Sequence, residues 1–99
     1  MHIITQKSLK TAWDVYPDTE MPLRKWYTEM KNLRFQNFSD LRQYYPSADQ
    51  VGRLTVFNIK GNHYRLVVRI EYSYGKVFIR KLMTHADYSK EEWKNDPWY

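Results

Sequence analysis

The chain has no cysteine, only three glycines and four prolines in 99 residues, and no long apolar run. Without cysteine there is no disulfide framework, no thiolate metal site and no thiol nucleophile, and the usage fits a reducing compartment. No Gly-rich phosphate loop is present. No stretch approaches the roughly 18 apolar residues of a membrane span. The opening Met1-His2-Ile3-Ile4-Thr5-Gln6-Lys7 lacks the apolar core of a signal peptide, so a cytoplasmic location is expected, with no membrane partner. His2, His63 and His85 stand far apart with no carboxylate–histidine spacing, which argues against a metal site. Ser73 and Ser89 have no base–acid arrangement around them.

Acidic residues are also scarce, but only in one place. Residues 53–85 carry Arg53, Lys60, Arg65, Arg69, Lys76, Arg80 and Lys81 against the single acid Glu71. Residues 1–52 carry seven Lys/Arg and six Asp/Glu, and residues 86–99 carry two and four. Nearly all of the net charge of +5 therefore sits in one third of the chain, which points to an anionic partner. With 42% hydrophobic and 17% aromatic residues, the chain has enough apolar material for one modest core. A single domain over residues 1–99 is expected.

The opening His2-Ile3-Ile4-Thr5 is a short β-like run, and Leu9, Ala12, Trp13 and Tyr16 then recur at helical spacing and predict a helix from Ser8 to Tyr16, ended by Pro17. A second helix is expected from Pro22 to Phe35, and a short third turn from Ser39, as cap, to Tyr45. Residues 47–52 read as a loop. Three strands come next, Leu54–Lys60, His63–Tyr72 and Lys76–Met83, with Gly61-Asn62 and Tyr74-Gly75 as turns of an antiparallel meander. Thr84 with Asp87, and Ser89 with Glu92, are capping pairs for a short terminal helical segment. The fold class is α+β: an antiparallel sheet with two N-terminal helices on one face and a short C-terminal helix.

Strand parity sorts the cations. A two-residue turn at Gly61-Asn62 sets Asn58 opposite Arg65 and Lys60 opposite His63, and Arg69 shares their face. A two-residue turn at Tyr74-Gly75 sets Arg80 beside Arg69 and Arg65 beside Thr84, while Lys81 points to the other side. Leu66, Val68, Ile70, Val77 and Ile79 take the helix-facing side. The expected result is an open basic face with His85 and Tyr88 at its edge. Arginine forks match phosphate oxygens. RNA fits such a face, with bases stacking on Phe78, Tyr88 or Tyr72. RNA is cut without a metal when its 2′-hydroxyl attacks the adjacent phosphate. That reaction needs a base, an acid and cations for the phosphorane charge. His85 is the first candidate for proton transfer and Lys60 the second.

The run Val56-Phe57-Asn58-Ile59-Lys60-Gly61-Asn62-His63-Tyr64-Arg65-Leu66, followed by Arg80 and Met83-Thr84-His85-Ala86-Asp87-Tyr88, closely resembles the HigB toxins. These are RelE-like toxins of type II toxin–antitoxin systems, and the opening residues resemble that family too. The resemblance implies a small RelE-like, microbial-RNase-like fold and a ribosome-dependent mRNA endonuclease with no cofactor. It implies mRNA and the ribosome as partners, and an antitoxin usually of helix-turn-helix type. By position, Arg65 and Arg80 resemble the phosphate-stabilising arginines, His85 the histidine after the last strand, and Lys60 a loop cation. Catalytic roles are thus expected for Arg65, Arg80, His85 and Lys60, and RNA contacts for Asn58, Asn62, His63, Arg69 and Tyr88. Glu71 lies too far along its strand to match the glutamate base of some relatives. The rival readings are a non-catalytic RNA- or ribosome-binding domain and an inactive relative that only binds its antitoxin.

Overall fold

Leucine and aromatic residues at helical spacing build the first half of the computed structural model, which describes all residues 1–99. Helix α1 spans Lys7–Val15 and buries Leu9. A 3-10 turn at Pro17–Thr19 leads into α2, Glu20–Asn32, whose buried stripe is Leu23, Trp26 and Met30. This helix starts two residues before the expected Pro22, which sits within its first turn where a missing N–H costs nothing. Helix α3 spans Phe38–Tyr44 and buries Leu41. Its cap is Asn37 rather than Ser39: the Asn37 side-chain oxygen accepts from the Asp40 amide at 2.8 Å.

The sheet has five strands: the expected three-stranded meander, the β-like run that the sequence shows at His2-Ile3-Ile4-Thr5, and one strand more. In chain order these are β1 His2–Ile4, β2 Asp49–Val51, β3 Leu54–Ile59, β4 Tyr64–Glu71 and β5 Lys76–Thr84. Their spatial order is β1-β5-β4-β3-β2, with β1 parallel to β5 and every other pair antiparallel. The added edge strands are short, three residues each, and β2 grows out of the expected loop.

The β3–β4 register is as expected, Asn58 opposite Arg65 and Val56 opposite Val67. The β4–β5 register is not. The turn runs Tyr72 to Gly75, so Glu71 pairs with Lys76 and Arg69 with Phe78. Arg34 holds this longer turn by donating to the carbonyls of Tyr72 at 3.0 Å and Ser73 at 3.3 Å. Gly75 (φ +64) has no Cβ to collide with that guanidinium, which fills the space a side chain there would need. Further along, a β-bulge sets Val68 opposite Ile79 but Val67 opposite Lys81, leaving Arg80 as the extra residue. Arg65 therefore faces Met83, not Thr84, and Lys81 is returned to the Arg65 face instead of pointing away.

One core fills the space between helices and sheet: Leu9, Leu23, Trp26, Met30 and Leu41 meet Phe57, Leu66, Val68, Val77 and Ile79. A second, smaller cluster lies on the opposite face, where Trp93 covers Leu54, Val56, Val67 and Met83. The face expected to be open and polar is thus partly roofed by the C-terminal segment. Helix α4, His85–Ser89, begins at Thr84 as expected, with Thr84 Oγ1 accepting from the Asp87 amide at 3.1 Å. The expected second cap at Ser89 does not form. Ser89 Oγ donates to the His85 carbonyl, and a 3-10 turn at Glu92–Asn95 starts after Glu91 (φ 64). No helix is long and apolar enough to cross a membrane.

Candidate active site

Arg65 is the one buried charged side chain, 8% exposed. Strand β4 plants it on the Trp93 face, and its guanidinium reaches back toward the β3–β4 turn. Nη1 donates to the carbonyls of Asn62 at 3.2 Å and Tyr64 at 3.1 Å. Nη2 donates to the Asn62 side-chain oxygen and meets His85 Nδ1 at 3.1 Å. All four partners are neutral, and Arg65 takes part in none of the ion pairs. A buried cation without a counter-charge is costly and leaves a field open to an anion.

His85 and Tyr88 complete this cluster because α4 starts where β5 ends. The His85 amide donates to the His63 carbonyl at 3.0 Å, tying the helix start to the β3–β4 turn. A guanidinium only donates, so His85 Nδ1 accepts, and the neutral ring carries its proton on Nε2. His85 itself is exposed. The Tyr88 ring lies 5.5 Å from the Arg65 guanidinium carbon and stacks on Trp93 at 5.1 Å and 15°. Burial, opposed in part by Arg65, raises the Tyr88 phenol above its ordinary range, so it stays protonated at neutral pH.

The remaining expected residues divide. Asn58 is exposed directly opposite Arg65, and the exposed His63 adjoins it on the turn, so both border the cluster. Lys60 does not join it. Lys60 (φ 53) and Gly61 (φ 64) leave the strand, parity no longer applies, and Lys60 Nζ pairs with Asp18 at 2.8 Å. Tyr64 donates to the same carboxylate at 2.9 Å, on the side where it packs against Tyr16 of the helical half. These two hydrogen bonds hold Asp18 below the usual carboxylate range.

Arg69 and Arg80 share the face with Arg65 but stand apart from it. Arg69 lies four residues along β4, roughly 13 Å away, and pairs with Glu71 at 3.0 Å. Arg80, lifted by the bulge, grips both oxygens of Asp96 at 2.9 Å, and Trp98 stacks 4.2 Å from its guanidinium carbon. That fork is the main reason the Asp96 carboxyl lies below its ordinary range. Strand parity does not reveal Asp18, Trp93, Asp96 and Trp98 as neighbours of the cations. The density of aromatics after Glu92, at Trp93, Trp98 and Tyr99, is the one sequence signal that the tail packs on something.

This arrangement offers a buried, uncompensated guanidinium, an adjacent imidazole and a neutral phenol ring, close together at one end of a sheet. Residues 19–91 match the family model of the HigB toxin, described as the RelE-like toxic component of a toxin–antitoxin system. The chain is 35% identical over 91 residues to the mRNA interferase toxin HigB of Escherichia coli K12, covering 89% of this chain and 88% of that one. It matches the mRNA interferase HigB of Shigella flexneri to the same extent. The mRNA interferase HigB of Escherichia coli O6:H1 is 25% identical over 93 residues, 91% of this chain and 90% of that one. The chain therefore belongs to the HigB family of RelE-like toxins from toxin–antitoxin systems.

Proposed function

We propose that this toxin is an endoribonuclease that cuts mRNA on the ribosome, is centred on Arg65 and His85, and is restrained by a cognate antitoxin of helix-turn-helix type. The observation that carries the reading is Arg65: buried, held by four neutral acceptors, and without a carboxylate partner. The names of the relatives, mRNA interferases, point to the same substrate.

In this reading the 2′-oxygen attacks the neighbouring phosphorus, the 5′-oxygen leaves, and the products end in a 2′,3′-cyclic phosphate and a 5′-hydroxyl. Arg65 binds the non-bridging oxygens and stabilises the phosphorane charge. An arriving phosphate gives Arg65 Nη2 an anionic acceptor in place of His85 Nδ1. The imidazole is then free to take and return a proton. Before that exchange its Nε2–H is a hydrogen-bond donor for a phosphate oxygen. Tyr88 offers a face for an unstacked base, and Asn58, Asn62 and His63 border the path of the strand.

Primer extension on mRNA with purified ribosomes tests this, wild type against His85→Gln, which keeps a donor but cannot shuttle a proton. The expected loss is about 100-fold or more. Cleavage of naked RNA at the same rate as ribosome-bound RNA contradicts the ribosome requirement. An absence of cleavage by the wild type favours a binding-only protein.

A further inference from the structure

Helix α4 is five residues long and buries none of its own side chains, so it cannot fix the Tyr88 ring by itself. The ring instead has two partners from outside the helix, the Arg65 guanidinium and Trp93, stacked at 15°. Trp93 is 7% exposed, and its Nε1–H donates to the Tyr88 carbonyl at 3.0 Å. The residues after Trp93 are tied down in turn. Asp96 takes both prongs of Arg80 and accepts from the Trp98 amide at 2.8 Å. Trp98 lies edge-on to Phe78 at 5.3 Å, and Arg53 donates to the carbonyls of Pro97 at 3.0 Å and Tyr99 at 2.9 Å.

We infer that the segment from Glu92 to Tyr99 is a clamp, anchored on Arg80 through Asp96, in which Trp93 positions Tyr88 against the Arg65–His85 site. Arg80 is then an anchor and not a ligand of the scissile phosphate. Its fork is filled by Asp96 and its face by Trp98, so a phosphate would have to displace both. Trp93, Asp96 and Arg80 are positioning residues acting through Tyr88. The inference rests on the reading of the Arg65–His85 cluster as the RNA-cleaving site.

The opposite use of the same contacts is that RNA pulls Arg80 away from Asp96 to bind phosphate directly. The two differ in sign for Asp96→Asn. A clamp loses catalysis when Asp96 is weakened, whereas a phosphate ligand is liberated and cleavage rises. The experiment compares wild type, Asp96→Asn, Trp93→Leu and Trp93→Phe. It measures kcat and KM on ribosome-bound mRNA, the Tyr88 ring-proton shifts by NMR, and Tm. Asp96→Asn and Trp93→Leu are expected to lower kcat about tenfold or more, as small misplacements of reacting groups do, and to move the Tyr88 resonances together. Trp93→Phe, which keeps a flat ring, is expected to recover most of the kcat lost in Trp93→Leu at a comparable Tm. Cleavage by Asp96→Asn equal to or above wild type, with Tyr88 unmoved, overturns the clamp. Should the wild type fail to cut RNA, the NMR shifts still decide. Tyr88 resonances that move in Asp96→Asn support the clamp, and resonances that stay put reject it.

Discussion

The cations between Arg53 and Lys81 differ by the company each keeps. Lys60 has Asp18, Arg69 has Glu71 and Arg80 has Asp96, while Arg65 has only neutral acceptors. Arg65→Met removes a buried charge without a counter-ion, so stability should fall by no more than about 1 kcal/mol, or rise, while cleavage disappears. Thermal unfolding and primer extension on the same preparation check this, and a large loss of Tm would contradict it. Lys60→Ala should behave in the opposite way to a catalytic variant. Its half-exposed ion pair is screened by solvent and contributes little to stability, and the cutting rate should not change. Parity alone brings Asn58 and Arg65 together, because both lie inside regular strands. It fails for Lys60, because two consecutive positive φ angles end the strand before it.

At the scale of elements, the helices are legible from leucine and aromatic spacing and the start of α4 from its cap. The β-bulge is not: a single extra residue leaves no mark on a nine-residue apolar–polar strand, yet it moves Arg80 and Lys81. Nor is the parallel pairing of β1, a contact between residues more than 70 positions apart with no turn to announce it. Thr84→Ala removes the cap of the helix that carries His85 and Tyr88. It should cost about 1 kcal/mol and reduce cleavage by more than its effect on the folded fraction, which denaturant melts and initial rates would separate. The clamp has a pH signature. Asp96 is depressed in the folded state by the Arg80 fork, and Asp18 by Lys60 and Tyr64. A lowered carboxyl contributes stability above its unfolded value near 4, and that stability is lost as pH falls through the folded value. Tm should therefore hold from neutrality down to about pH 4 and drop below it, less steeply in Asp96→Asn. An unaltered acid limb in that variant would show that Asp96 does not anchor the tail.

Across the whole molecule, two hydrophobic clusters sit on opposite faces of one sheet and divide the labour. The larger one joins helices to sheet and supports the fold. The smaller one, roofed by Trp93, holds the segment beside the site. Composition locates the charge, but a sheet face predicted from alternation alone looks open whenever the covering segment lies outside the strands. Leu66→Ala, at a position with no exposure in the larger cluster, should cost about 2–5 kcal/mol. In a domain whose total stability is on the order of 5–15 kcal/mol, that is enough to lower its yield of folded protein. The functional claim itself turns on Arg65. Its most direct test is the rate of cleavage and the end groups on ribosome-bound mRNA for wild type, Arg65→Lys and Lys60→Ala. The prediction is 2′,3′-cyclic phosphate ends from wild type and Lys60→Ala at similar rates, and a loss of about 100-fold or more in Arg65→Lys, which keeps the charge but not the fork. Wild-type rates in Arg65→Lys, or loss confined to Lys60→Ala, would contradict it.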